Sequence, residues 1–194
     1  MKAIITFILS MFLFLNIGMA QNTAEEIRAM LDERDAEIKE LLGPKGSEYT
    51  QEQRDRLKDI INDVIDFRAM SQTALGDTFD EITEEEREEF IALFSTIIRD
   101  NSMNRLDIYR AEVTYNDITV ENGNAEVKTM AQMDNVRTSV DYDMELQNGE
   151  WHITDMSIDD VSTAESYHRQ FQSIIRQRGF DALLDSLRRR AARA

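Results

Sequence analysis

Histidines and aspartates are the side chains of this sequence best suited to acid–base or metal chemistry. His152 falls on the polar face of a predicted strand, and His168 stands beside Tyr167 at the start of a predicted helix. Neither belongs to a spaced metal-binding motif, and the chain has no cysteine to act as a thiolate ligand or nucleophile. Both histidines are therefore predicted to be surface residues.

Asp155, Asp159 and Asp160 form an acidic cluster near the end of the same predicted strand. Such a cluster can attract a cation, but the glycine and the terminal glutamate of a calcium-binding loop are missing. Capping or surface roles are the favoured interpretation. The G-x-S-x-G, P-loop and dinucleotide-binding glycine patterns are also absent from the sequence. The prediction is a protein with neither a catalytic site nor a metal site.

The overall composition predicts an acidic, globular protein. Its 194 residues include 22 basic and 38 acidic side chains, for a net charge of −16, and 42% of them are hydrophobic. That hydrophobic share suits one packed domain. The acidic balance argues against a nucleic-acid partner, because phosphate binding requires a basic surface.

The first twenty residues have the pattern of a secretory signal peptide. Lys2 precedes an almost wholly apolar stretch from residue 3 to 17, and Gly18-Met19-Ala20 supplies the small residues of a cleavage site. A membrane anchor is the alternative, although about 15 apolar residues are short for a span that needs about 20. We expect residues 1–20 to be removed and residues 21–194 to be exported as a single domain.

Hydrophobic periodicity predicts helices at both ends of the mature chain. Residues 21–111 follow a helical period, with capping boxes that begin at Thr23, Thr50 and Thr83. A fourth box at Ser162 opens the C-terminal helices, which are expected over residues 162–190. These segments leave only residues 112–158 for strands.

The period changes to two over residues 112–158. A bulge is expected after Tyr115, and Asn122-Gly123 and Asn148-Gly149 are strong signals for hairpin turns. The pattern predicts a four-stranded antiparallel meander with one apolar face. We therefore expect an α+β fold in which helices pack on one face of a curved sheet, forming a cone with an apolar cavity.

Methionine is frequent in this predicted sheet. Met130, Met133, Met144 and Met156 lie in it or beside it. Methionine adapts its shape, which suits a site that accepts variable acyl chains. A core that uses methionine as filler is the alternative, and periodicity does not distinguish a filled core from an open pocket.

Five segments carry a family resemblance. Residues 66–76 read DFRAMSQTALG, residues 83–94 read TEEEREEFIALF, and residues 149–162 read GEWHITDMSIDDVS. They are followed by YHRQF at 167–171 and GFDALL at 179–184. In this order the segments resemble the motifs of the MlaC family, the periplasmic phospholipid-binding proteins of the Mla pathway, also described as toluene-tolerance proteins.

The resemblance implies a fold similar to nuclear transport factor 2, with lipid tails buried between the sheet and the helices. It implies a monomeric periplasmic shuttle whose cargo is phospholipid, with no other cofactor and no enzymatic activity. Its partners would be an outer-membrane lipoprotein complex and an inner-membrane ABC-transporter complex that carries an MCE-domain protein, with transient contact to the membrane surface. The arginines from Arg188 to Arg193 either touch anionic headgroups or a partner, or simply suit a helix C-terminus.

Inward-facing apolar residues are the candidates for the cavity lining, and plain core packing is the alternative for each. The candidates from the sheet are Tyr115, Val127, Val140, Tyr142, Met144, Trp151 and Ile153, and those from the helices are Phe94, Ile97 and Phe171.

Two other classes of function remain open from the residues alone. A small isomerase or dehydratase would need an inward-facing acid or base, and the inward strand positions offer only tyrosines and threonines. A protein-interaction or chaperone module could use the same apolar groove for protein clients. Bound material distinguishes the three classes: a two-chain lipid, a small substrate, or none.

Overall fold

The computed structural model describes residues 23–103 and 106–193, apart from the side chain of residue 61. The predicted signal peptide at residues 1–20 lies outside these residues. The described residues before the sheet are mainly helical. Their elements are α1 (23–42), α2 (Gln51–Val64), α3 (Phe67–Leu75), α4 (Thr78–Glu81), α5 (Glu84–Met103) and a 3₁₀ segment (Leu106–Arg110).

Predicted capping boxes fix the starts of two of these helices. At α2 the Thr50 hydroxyl accepts a hydrogen bond from the Gln53 backbone N–H at 3.2 Å, and the Gln53 side chain accepts one from the Thr50 N–H at 2.9 Å. Before α5 the same exchange joins Thr83 and Glu86. Each box satisfies N–H groups that would otherwise have no partner at a helix start. Both predictions are confirmed.

Five antiparallel strands follow in simple sequence order: β1 (Glu112–Glu121), β2 (Asn124–Met133), β3 (Val136–Gln147), β4 (Glu150–Ile158) and β5 (Val161–Ser162). The register of β1 against β2 shifts between Tyr115 and Asp117, which confirms the predicted bulge. Asn122-Gly123 and Asn148-Gly149 all have positive φ, as two-residue hairpin turns of this kind require. The predicted meander is therefore correct in its first four strands.

The prediction of four strands is wrong by one short strand. Asp159 and Asp160 have φ angles of 49° and 62°, and they turn the chain so that Val161 pairs with Ile158 and Ser162 with Ser157. A two-residue strand is too short for its alternation to be recognised in a sequence. Two helices then complete the chain, α6 (Thr163–Arg178) and α7 (Phe180–Ala191), and the predicted cap of α6 is confirmed by the Ser162 hydroxyl.

Buried apolar side chains form three clusters. The first joins the five helices from α3 through α7 and includes no residue of a strand. The second joins the sheet to α1 and the end of α2, and the third joins the end of α1 to α2, the end of α5 and the 3₁₀ segment. The α+β class, with helices packed on one face of an antiparallel sheet, is thus confirmed. The cone shape and its cavity stay predictions.

A short backbone contact fastens the helices to the sheet. Ile65 forms a parallel bridge with Ile153, and the Asp66 N–H donates to the Ile153 carbonyl at 2.9 Å. The side chain of Asp66 also caps α3, accepting from the N–H groups of Arg68 and Ala69. Asp66 therefore binds β4 through its backbone N–H and caps the start of α3 through its side chain.

Candidate functional site

The strand register aligns side chains in rows across one face of the sheet. Beginning at the end with the Asn-Gly turns, the rows are Leu146–Trp151, Val120–Ala125–Met144–Ile153, Ile118–Val127–Tyr142–Met156, Tyr115–Thr129–Val140–Ile158, Val113–Ala131–Thr138 and Met133–Val136. Neighbouring rows are two residues, or about 7 Å, apart, so along β3 the face spans about 33 Å. Among the described residues of these rows, polar side-chain atoms come from tyrosines, threonines and the indole of Trp151.

Helix α1 covers the half of this face nearest the Asn-Gly turns. Ile27 is fully buried and Leu31 nearly so, and both pack in one cluster with Ala125, Val127 and Met144. The contact follows from the apolar stripe of α1, whose members recur at helical spacing. This half of the face is covered except at its end, where Leu146 is 42% exposed.

The other half of the face is open. Val136 is 64% exposed and Ile158 is 41% exposed, while Val113, Met133 and Val140 are half-buried. Among the described residues, none of these five belongs to a buried core cluster. The apolar face therefore continues beyond its cover and reaches the surface.

Two phenols lie within the apolar face, and both are neutral at physiological pH. Burial, assisted by the neighbouring Asp32 carboxylate that accepts its hydrogen bond, raises the pKa of Tyr115 well above its usual range. Burial also raises the pKa of Tyr142 to about 12. The Arg28 guanidinium of α1 lies over the Tyr115 ring at 5.1 Å. No group with a pKa suited to proton transfer near pH 7 is found among the described residues of this face.

The indole nitrogen of Trp151 is a further polar atom on this face. The side chain packs against the cluster that joins α1 to the sheet. Its Nε1–H is buried and has no hydrogen-bond acceptor in the described part of the chain. A buried indole N–H normally finds one.

The structure brings together six of the ten predicted lining residues. Around the cluster that joins α1 to the sheet lie Tyr115, Val127, Tyr142, Met144, Trp151 and Ile153. Val140 lies on the same face in its open half. Ile27, Met30 and Leu31 of α1 also belong to this cluster and were not among the predicted residues. Their helical spacing was visible in the sequence, but nothing there indicated that they would cover the sheet.

The three candidates from helices lie elsewhere. Phe94, Ile97 and Phe171 are buried in the cluster that joins α3 to α7, where the rings of Phe94 and Phe171 are 5.5 Å apart and nearly perpendicular. Phe90 and Tyr167 complete this aromatic core. The role of all ten residues as lining stays a prediction, but the structure places six of them in one cluster, three in another and Val140 outside both.

The histidines and aspartates have structural environments that differ in part from those predicted. His168 is half-buried, its Nδ1 is enclosed without a partner, and its ring lies against Gly76, so the prediction of a surface residue is wrong. Asp155 is buried and accepts hydrogen bonds from the Ser162 hydroxyl and the Ala164 N–H, which makes it a second cap for α6. In the described part of the chain no three histidines, aspartates or glutamates are placed to hold a metal ion.

Arginines form a separate surface feature at the C-terminal end of α7. Arg189, Arg190 and Arg193 line an open groove of about 350 Å³ together with Asp100 and Ser186. Arg190 also donates to the Asn101 side chain at 3.3 Å. Residues 162–194 contain seven arginines and three carboxylates, in a chain whose net charge is −16. This C-terminal segment is therefore rich in basic side chains, unlike the acidic chain as a whole.

The fold and the face together define a class: an α+β protein with an extended apolar sheet face that one helix partly covers. A solved structure supports the fold. The phospholipid-binding protein from Ralstonia solanacearum, in complex with a phospholipid, is similar with a TM-score of 0.73 at 22% sequence identity, covering 86% of this chain and 95% of that one. No curated protein sequence matches the chain significantly. The sequence profile of the MlaC protein matches residues 21–189, so the chain belongs to the MlaC family. In residues 23–103 and 106–193, no helix is both long and apolar enough to span a membrane.

Proposed function

We propose that this protein is a carrier that binds a phospholipid with its acyl chains against the apolar sheet face. The observation that carries the proposal is the continuity of that face, from the part buried under α1 to the exposed Val136 and Ile158. Membership of the MlaC family and the phospholipid in the similar structure add support.

The energetics favour a binding site of this shape. Each CH₂ group kept from water contributes about 0.8 kcal/mol, so a carrier must shield most of both tails. The headgroup gains from remaining in water, because burying a charge is costly. The face spans about 33 Å along β3, about twice the 15 Å that acyl chains occupy in one leaflet of a bilayer. It is therefore longer than the acyl chains that would lie along it, provided that α1 shares or vacates part of it.

The carrier would work between two membranes rather than within one. On this proposal residues 1–20 are a signal peptide and residues 21–194 form a single periplasmic domain, active as a monomer. It would pass phospholipid between an outer-membrane lipoprotein complex and an inner-membrane ABC-transporter complex with an MCE-domain protein. No chemical step is needed, which fits the absence of an acid or base on the described part of the face.

The arginine groove at the end of α7 is the surface we propose for transient contact with a membrane. The rest of the chain is strongly acidic and is repelled by anionic lipid, so an approach led by Arg189, Arg190 and Arg193 is electrostatically preferred. Basic residues near an anionic bilayer contribute about 1 kcal/mol each, or about fivefold in affinity. Changing all three to glutamine should weaken binding to vesicles rich in anionic lipid by on the order of 100-fold.

A matched control variant makes this vesicle experiment specific. Changing Lys45, Arg54 and Lys58 to glutamine removes the same charge from three exposed positions of the acidic part of the chain. This control should bind anionic vesicles about as well as the wild type. Equal binding by both triple variants, in co-sedimentation at low salt, would contradict the proposed membrane-facing surface.

Native mass spectrometry of residues 21–194, purified without detergent, tests the carrier function directly. We expect a near-stoichiometric mass that corresponds to a two-chain phospholipid, identified by solvent extraction. An empty protein that also takes up no lipid from labelled vesicles would overturn the proposal. That outcome would favour a protein-interaction module that uses the exposed half of the face for protein clients.

A further inference from the structure

The indole N–H of Trp151 is a hydrogen-bond donor without an acceptor among the described residues. Nε1 is enclosed within this part of the structure, and no oxygen of residues 23–103 or 106–193 accepts its proton. Buried polar groups in proteins are paired in the great majority of cases, and the exceptions ask for an explanation. A ligand that supplies an acceptor is one such explanation.

The position of Trp151 fits the boundary between lipid tails and headgroup. It lies in the first row of the apolar face, opposite Leu146, two residues after the turn at Asn148-Gly149. Beyond this row the strands end in the turn itself, and both Asn148 and Gly149 are exposed. In the other direction the face is apolar as far as Val136. Aromatic side chains with one polar atom favour such a border between apolar and wet surroundings.

We infer that Trp151 donates a hydrogen bond to an ester carbonyl oxygen of the bound phospholipid. The inference rests on the proposed function. A lipid offers two kinds of acceptor oxygen near this level, in the esters and in the phosphate. The ester is favoured because Nε1 is buried: a neutral carbonyl is desolvated at a modest cost, whereas a phosphate would bring a charge out of water.

This assignment gives the lipid a direction on the sheet. The glycerol esters lie at the row of Leu146 and Trp151, and the headgroup extends past the Asn-Gly turns into water. The tails extend along β3 through Tyr142 and Val140 toward Val136. Since Ile27 and Leu31 of α1 now cover the first part of that route, they move aside or make room as the tails enter.

The test combines one variant with one change in the lipid. Trp151→Phe keeps an aromatic ring on the face and removes the donor. Dioleoyl phosphatidylethanolamine is compared with its diether analogue, which keeps the phosphate and both tails but lacks the ester carbonyls. Each radiolabelled lipid is partitioned at equilibrium between vesicles and delipidated protein 21–194, and circular dichroism verifies the fold of the variant.

We expect Trp151→Phe to bind the diester lipid about five- to tenfold more weakly than the wild type does, the value of one neutral hydrogen bond. Its affinity for the diether lipid should equal that of the wild type. The wild type alone should prefer the diester by the same factor, and this comparison needs no variant to fold.

Other outcomes distinguish this inference from the proposed function. If the wild type binds both lipids equally well, the protein is a carrier but the ester assignment is wrong. If Trp151→Phe weakens the binding of both lipids equally, the indole acts by packing or by donating to the phosphate, and the assignment is again overturned. If the wild type binds neither lipid, the carrier function itself fails.

Discussion

Replacing Asp155 with alanine should loosen the junction between the sheet and the C-terminal helices. The side chain is 8% exposed and lies on β4, but its partners are at the start of α6. One carboxylate oxygen accepts from the buried Ala164 N–H at 3.0 Å and from the Met156 N–H at 2.8 Å. The other accepts from the Ser162 hydroxyl, which itself caps α6 by accepting from the Glu165 N–H.

The cost of this replacement can be estimated from the partners that lose their acceptor. A hydrogen bond to a charged group contributes about 1.5–3 kcal/mol. The Ala164 N–H is fully enclosed and carries this cost in full, whereas the half-buried Ser162 hydroxyl can rotate toward another acceptor. Loss of a negative charge at a helix N-terminus adds about 0.5 kcal/mol. The sum is about 3 kcal/mol for Asp155→Ala.

Urea unfolding of residues 21–194 measures this free energy, and thermal unfolding provides a second reading. For a domain of this size, about 3 kcal/mol corresponds to a fall in Tm of roughly 6–12 °C. Asp155→Asn, whose amide oxygen can still accept from Ala164, should lose only about 1 kcal/mol. Asp160→Asn removes a charge from an exposed turn nearby and should change stability by less than about 0.5 kcal/mol. If Asp155→Ala proves as stable as Asp160→Asn, the capping role is refuted.

Three further perturbations address other parts of the structure. Gly76→Ala should destabilise the protein by about 2 kcal/mol or more in the same assay, because φ is +55° and the new Cβ would lie 2.7 Å from the His168 ring; unchanged stability would exclude this close packing. The pKa of the Asp143 carboxyl is raised, mainly by burial and secondly by the charge of Asp155. Its ionised form is therefore disfavoured in the folded protein, and stability is lost as the pH rises through that pKa. Asp143→Asn should therefore be more stable than the wild type at pH 7 but not near pH 3. An equal difference in stability at both pH values would show that the raised pKa of Asp143 is not its cause. Val140→Trp on the half-buried part of the face should keep the fold and reduce the phospholipid recovered by extraction; full occupancy would show that the tails do not lie there.

The sequence predicted the local features of the sheet correctly. Alternation assigned the inward residues of β1 to β4. The Asn-Gly pairs located two turns, because these turns require positive φ angles that few other residue types adopt. The boxes at Thr50 and Thr83 located helix starts. These features depend on residues within a few positions of one another, so their pattern is visible without knowledge of the fold.

The sequence did not specify which apolar surfaces meet. The stripes of α1 and of α5 look alike in the sequence, yet Ile27 packs on the sheet while Phe94 packs among helices. Nine of the ten predicted lining residues therefore divide between two clusters, and one lies outside both. The second cap that Asp155 provides for α6 also depends on the turn that forms β5, which was too short to predict. Each of these contacts joins segments distant in sequence.

The amino-acid sequence by itself determined the class of fold, the polarity of each strand face and the family to which the chain belongs. Only the tertiary structure decided that α1 covers half of the apolar face, that the other half stays open, and that no described residue accepts the Trp151 N–H. The physical reason is that hydrophobic periodicity records how much of a segment is buried but not what buries it. That choice depends on which surfaces fit together, and it is made when the whole chain packs.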